Sequence, residues 1–437
     1  MVEPAIEATS RGHRGGLYYG WKVVFSLFMA GFMVYGGGLY SFVLFVPRLT
    51  EEFHWDRAST SGLVTAFWIS APLILLGGFG IKRLGAVRML VIGVLLEALC
   101  ITLLSTVSSF RQMYLLRVLM GLGKVMFAVT LPYAVSRWFS RRYSLALGIT
   151  WAGWHVGGLV LAPLTAIVIE HFGWRTACLA IAAGLVTIGL VPTLATGRFR
   201  SPRDCGLAID GEPLGNQPGG QPAEVARAEP HDAPVGTLGD LLGTSTFWII
   251  ALVTLFFFLT YGGLLTQEAA VVEGAGFSPR LASVVLGSTA GFAAIGGLGV
   301  GWLLDRYSTR AVGIAMHLLL LAGAISLLTV ARSHSEVALV TYASCFGVTI
   351  GGGDLYFVAV LRRRFPNISV AYSYSAWYFC EILSLAVSGP AAGHVFDLTG
   401  NYDRTLALLA GSAVVALLLS LPVLRAPGLG KPDRAVA

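Results

Sequence analysis

The sequence predicts an all-α integral membrane protein, with twelve transmembrane helices in two pseudo-symmetric six-helix bundles. Three observations predict it. Hydrophobic residues make up 55% of the 437 residues and charged residues only 12%, about half the charged share of a soluble domain; mean hydropathy is +0.74. Apolar runs of bilayer-spanning length recur from residue 20 to 426. Landmarks in the first six runs also return, in the same order, in the last six.

The first half places spans at about 20–46, 58–80, 86–107, 112–134, 143–169 and 175–196. The second places them at about 246–269, 280–304, 310–331, 336–360, 370–394 and 403–425. Residues 1–19 are mostly polar and run straight into the first span, so no cleavable signal is expected. Between the halves, residues 197–244 turn rich in Pro, Gly and charge, and "NQPGGQPAEVARAEPHDAP" reads as a cytoplasmic linker. The expected organisation is an N-terminal bundle over 1–196, a linker over 197–244 and a C-terminal bundle over 245–437.

Lys and Arg orient the chain. With both termini in the cytoplasm, the inner segments hold Arg11, Arg14, Lys82, Arg83, Arg88, Arg137, Arg141, Arg142, Arg198, Arg200 and Arg203 in the first half. Arg306, Arg310 and Arg362 to Arg364 follow in the second, while the outer loops keep few cations. This asymmetry accounts for the net charge of +7 and removes nucleic acid as an implied partner. The expected location is the cell membrane, as a multi-pass monomer. The five cysteines are scattered without metal or disulfide spacing, and no metal or cofactor is expected. A nucleotide-binding loop and a nucleophile–base arrangement are also missing from the sequence, which argues against an enzyme and against drive by ATP.

The repeat is specific in its details. "VYGGGLYSF" in the first span echoes "TYGGLLTQE" in the seventh, and "WDRAST" before the second parallels "SPRLAS" before the eighth, matching Arg57 with Arg280. In the fourth and tenth spans "GKVMFAV" lies over "GDLYFVAV", so Lys124 aligns with Asp354. Duplicated six-helix halves point to a transporter whose site lies between them near the bilayer midplane.

With these landmarks the chain resembles the major facilitator superfamily, in its bacterial monocarboxylate-transporter-like and oxalate/formate-antiporter-like branch. The stretches that carry the resemblance are "YYGWKVV", "FVPRLTEEFHWDRASTSG", "RWFSRRYSLALGITWAGWHVGG" and "SPRDCGLAIDGEP". The resemblance implies that the first, fourth, seventh and tenth spans line a cavity, with the second, fifth, eighth and eleventh beside them. It also implies gating motifs after the second and eighth spans. The second-half copy, "GWLLDR", keeps Asp305 and Arg306; the first-half copy, "GGFGIKRLGAVR", has Lys82 where an acid belongs, followed by Arg83. Lys82 cannot accept the hydrogen bonds of an aspartate. A basic residue expected deep in the eighth span is also missing, since "GSTAGFAAIGGLGVG" carries no charge.

Ionisable groups at membrane depth are costly and each needs a partner or a task. They are Glu97, Arg117, Lys124, His155, Asp354 and Glu381. Lys124 is the expected ligand for a substrate carboxylate, by Coulomb attraction and charge-assisted hydrogen bonding; the alternative is a fixed pair with Asp354. Asp354 and Glu381 are the candidates for proton coupling, with helix packing as the alternative. Arg117 resembles the fourth-helix arginine of the superfamily, and snorkelling to the outer face competes with a cavity role. His155 titrates in a useful range, though a neutral, hydrogen-bonded His is the plainer reading. Tyr35, Tyr261 and Tyr374 are candidates to orient the substrate, against a role in packing. Glu97, in an outer-type helix, reads as structural. The expected function is secondary active transport of small organic anions, monocarboxylates first, with proton symport. The alternative is efflux or antiport of a larger amphipathic or aromatic compound.

Overall fold

The computed structural model describes residues 18–55, 63, 66, 67, 70–197, 201–211 and 236–425. Arg11, Arg14, Arg57, Arg198, Arg200, most of the linker and the first part of the second span lie outside them. The described residues divide into two compact units. The first takes those within Met1–Ser70, Gly77–Gly236 and Ser369–Ala371, the second those within Ala71–Leu76, Thr237–Ile368 and Tyr372–Ala437.

Ten helices among the described residues are long and apolar enough to cross a bilayer. One of them, Tyr143–Thr196, is 54 residues long, well beyond the roughly 20 residues that a single crossing needs. It breaks at Gly173, whose φ of 81° and ψ of 162° are not helical. Nothing would touch a Cβ there, so this glycine serves the backbone angle and not a close contact. The break separates the fifth span from the sixth. What is described of the second span ends in a 3-10 turn, Ala71–Leu76, and the helix Gly77–Leu84. With the second span counted and the long helix divided, the chain has the twelve-helix arrangement.

Polar caps set where several spans begin. Ser109, Thr244, Ser278, Ser308 and Ser335 each accept a hydrogen bond from the backbone N–H three residues on, satisfying a donor the first helical turn leaves over. Large apolar side chains such as Leu99, Ile295, Leu318 and Leu418 stay exposed, as a lipid-facing surface requires.

Glycines decide the helix contacts, and they do so twice. In the first span, Tyr19–Met33 passes into a π-helical turn, Val34–Tyr40. Its three glycines each receive a different neighbour. A Cβ on Gly36 would lie 2.5 Å from the carbonyl carbon of Gly157 in the fifth span, and one on Gly37 2.6 Å from Ile181 in the sixth. A Cβ on Gly38 would collide with the carboxylate of Glu97 in the third span. In the seventh span, Ser245–Gly274, a Cβ on Gly262 would strike Ser388 of the eleventh, and one on Gly263 Leu409 of the twelfth. The echo of "YGGG" in "YGGL" is thus a matched set of crossings: one glycine for span five or eleven, the next for span six or twelve. Gly121 and Gly351, three residues before Lys124 and Asp354, likewise meet the backbone carbonyls of Phe67 and Ala293 in the second and eighth spans.

The "GWHVGG" stretch has a packing explanation of the same kind. Gly153 and Gly157 lie against the carbonyls of Phe28 and Phe32, and Gly158 lies on the ring of Tyr40. The fourth span, Phe110–Trp138, crosses the third, Ala86–Leu104, at Gly123 and Gly93. There a Cβ on either glycine would fall 2.7 Å from the other's carbonyl oxygen.

Two ties close the ends of the first unit. At one end, "SPRDCGLAIDG" folds onto the turn between the fourth and fifth spans. The Asp210 carboxylate accepts from the Ser140 and Arg141 N–H groups, both at 3.1 Å. Beside it the Tyr18 hydroxyl donates to the Trp138 carbonyl at 2.8 Å. At the other end, Glu52 accepts from Trp174 Nε1 at 2.7 Å and pairs with Arg175 at 2.7 Å. The hydrogen bonds from Arg175 and Trp174 hold the Glu52 carboxyl below its ordinary value of 4.5. A lowered pKa means that the tie contributes stability at neutral pH and loses it as pH falls below that value. Both partners are more than a third exposed, so the contribution is less than about 1 kcal/mol. Arg175→Gln is therefore expected to lower the unfolding temperature slightly at pH 7. The gap to wild type should close in acid, and a gap that widens in acid would contradict this.

Candidate functional site

Lys124 lies midway along the fourth span and is only 3% exposed. Its ammonium nitrogen stands over two aromatic faces, 5.4 Å from the Tyr35 ring centre and 5.8 Å from that of Phe67. Tyr35 is itself held flat on Trp154, with centroids 4.1 Å apart and planes 8° from parallel, and Trp151 follows at 5.4 Å. Ring quadrupoles stabilise a cation without neutralising it.

Arg117, two turns before Lys124, is completely buried. Its Nε donates to the Leu63 carbonyl and its Nη1 to the Gly38 carbonyl, each at 3.2 Å. Its guanidinium carbon lies 3.6 Å from the centre of the Phe42 ring and 4.7 Å from that of Phe67. The snorkelling alternative fails: the side chain turns inward, where the Leu63 and Gly38 carbonyls and two aromatic faces receive it. Phe67 is shared by Arg117 and Lys124.

Glu97 completes the cluster from the third span. It is fully buried, and neither carboxylate oxygen accepts a hydrogen bond among the described residues. Both Arg117 and Lys124 act on it electrostatically. Two cations and one acid thus form one buried cluster of the first unit. Reading the third span as an outer helix concealed this, because the crossing at Gly93 and Gly123 turns Glu97 inward. His155, one residue past Trp154 in the fifth span, is half-buried.

The second unit presents a different group. Glu268, in the seventh span, is fully buried and accepts from Thr289 Oγ1 at 3.0 Å. The Tyr342 hydroxyl also faces it. Glu268 was not among the candidates, although it stands seven residues, two helical turns, beyond Tyr261 on the same face. Tyr261 packs on Phe258 and Phe346 at 5.4 and 5.6 Å. Tyr374 stacks on Tyr378 at 5.3 Å and abuts Trp377, whose Nε1 donates to Thr254 at 2.9 Å. Glu381 is buried two turns beyond Tyr374, and Asp354 is half-buried in the tenth span. His317, also missed, is fully buried in the ninth span, with Nδ1 2.8 Å from the Gly313 carbonyl.

Of the motif residues, Arg83 is exposed in the last turn of Gly77–Leu84. Arg306 lies over Trp302 at 5.3 Å, and Asp305 is half-buried beside it.

The Major Facilitator Superfamily model matches residues 24–381. Among curated relatives, Monocarboxylate transporter 13 of Bos taurus is 27% identical over 418 residues, covering 92% of this chain and 89% of its own. The MFS-type transporter YcxA of Bacillus subtilis (strain 168) is 25% identical, with coverage of 90% and 91%. Among solved structures, the proton:xylose symporter XylE bound to 6-bromo-6-deoxy-D-glucose superposes with a TM-score of 0.73 at 14% identity, covering 92% of this chain and 95% of its own. FucP in its outward conformation gives 0.67 at 14% identity, covering 91% and 98%. At that identity the two structures speak to the fold alone.

Proposed function

The chain belongs to the major facilitator superfamily and is a multi-pass secondary transporter, not an enzyme; from that premise we propose that it carries small organic anions, monocarboxylates first, by alternating access with a proton. The observation that supports this most is Lys124: a lysine at membrane depth, 3% exposed and bedded on Tyr35 and Phe67. A carboxylate entering the bilayer interior must lose its hydration, and a buried cation offsets that cost. The monocarboxylate transporter relatives, matched over most of the chain, favour the same cargo.

In this reading Lys124 binds the carboxylate, and Tyr35 and His155 orient it from the first unit. Tyr261 and Tyr374 are the second unit's candidates to orient a substrate. Asp354 and Glu381 are the second unit's candidates for the coupled proton, and Arg83, Asp305, Arg306 and Arg117 serve gating and packing. The Lys and Arg distribution supports cytoplasmic termini, and the working unit is a monomer.

The test is uptake into proteoliposomes across monocarboxylates, dicarboxylates and aromatic acids under an imposed pH gradient. At least one monocarboxylate should accumulate above its external concentration when the outside is acidic, and should not do so without the gradient. If no acid either accumulates or exchanges, the anion reading fails.

A further inference from the structure

One end of the first unit holds two adjoining cavities, neither lined by Lys124 or Glu97. The first, of about 610 Å³, is lined by Lys82, Arg83, Arg88 and Arg137, with Asp204 as the one acid among the described residues of its wall. None of the four cations joins an ion pair among the described residues. The second is an open apolar groove of about 550 Å³ along Trp21, Phe25, Pro192 and Ala195, with Lys22 also in its wall. Ser26 and Thr196 line both cavities. Thr196 Oγ1 donates to Ser26 Oγ at 2.8 Å, forming a hydroxyl seam between the basic chamber and the apolar one.

We infer that this pair of cavities holds an anionic phospholipid, its phosphate among Lys82, Arg83, Arg88 and Arg137 and an acyl chain along Trp21, Phe25 and Pro192. A free phosphate would account for the cations but not for the groove. A zwitterionic lipid would account for the groove but leave four cations against one acid. Charge-assisted contacts to phosphate oxygens are the strong ones, and basic side chains at the level of the headgroups gain from anionic lipid. On the orientation read from Lys and Arg, this end meets the cytoplasmic leaflet. The first-half motif then has a chemical sense of its own. Lys82 stands where the resemblance places an acid, and an acid there would repel the phosphate.

The test uses the purified full chain in nanodiscs of mixed phosphatidylglycerol and phosphatidylcholine, released for native mass spectrometry of the retained lipid. Wild type should retain phosphatidylglycerol preferentially, and excess inorganic phosphate should not displace it. Removing two cations in Arg88→Gln/Arg137→Gln should weaken the preference about thirtyfold. Lys82→Asp should weaken it comparably, whereas Arg88→Lys/Arg137→Lys should keep it. A monodisperse elution profile excludes misfolding, and the charge-keeping pair serves as a second safeguard. Equal retention of both lipids, displacement by phosphate, or a preference unchanged in the Gln pair and in Lys82→Asp would overturn the inference.

Discussion

Lys124→Gln is expected to lower carboxylate uptake by about thirtyfold or more while the protein remains folded. Truncating one member of a buried charge pair costs about 2–5 kcal/mol, and every 1.4 kcal/mol is about a factor of ten. Folding should survive because glutamine keeps most of the lysine's length against Tyr35 and Phe67 and removes a charge from a site where only 3% of the residue meets solvent. Lys124→Arg keeps the charge but needs more room between the two rings, so it should restore only part of the rate. The measurement is initial uptake of the best monocarboxylate from the liposome screen, with a neutral or amphipathic compound alongside. Carboxylate uptake equal to wild type would remove the anion reading. A proportional loss for both compounds would point to the larger-cargo alternative, with the charge needed for the conformational cycle.

The prediction rests on a residue that was plain in the sequence. A lysine inside "MGLGKVMFAV" stands out because nothing else in that run is charged, and alignment of the halves pairs it with Asp354. The glycines were legible as motifs but not as contacts. Nothing in "YGGG" says that its members meet Gly157, Ile181 and Glu97 in turn, since each partner comes from a different helix. Arg117 was legible as a charge, whereas its destination depends on carbonyls of Leu63 and Gly38, more than fifty residues away. Glu97 reads as structural in the sequence because the third span counts as an outer helix. Helix position in a bundle does not settle which face a side chain occupies, and close crossings at small residues can turn a polar group inward. Glu268 escaped for a different reason: it sits near the outer end of its span, where an acid looks like loop.

Glu97→Gln is expected to separate substrate exchange from proton-driven accumulation. The cluster holds Arg117, Lys124 and Glu97, with the Cys100 thiol as the other titratable group acting with Glu97. With Glu97 ionised the three groups sum to one positive charge, and a bound monocarboxylate cancels it. A proton on Glu97 raises the sum by one and strengthens the hold on the anion; its loss weakens that hold. Such linkage is reciprocal, so the anion equally favours the proton. Glutamine fixes the neutral form. The carboxylate should then bind more tightly, with an affinity that no longer changes with pH. Counterflow exchange should persist, turnover should fall about tenfold or more as release slows, and a pH gradient should no longer drive accumulation. A residue that only filled space would not lower KM and erase its pH dependence together, so the split between KM and kcat distinguishes the two roles. Asp354→Asn and Glu381→Gln supply the comparison. If either of those abolishes gradient-driven accumulation while Glu97→Gln leaves it intact, the coupled proton belongs to the second unit, and Glu97 is confined to balancing Lys124 and Arg117.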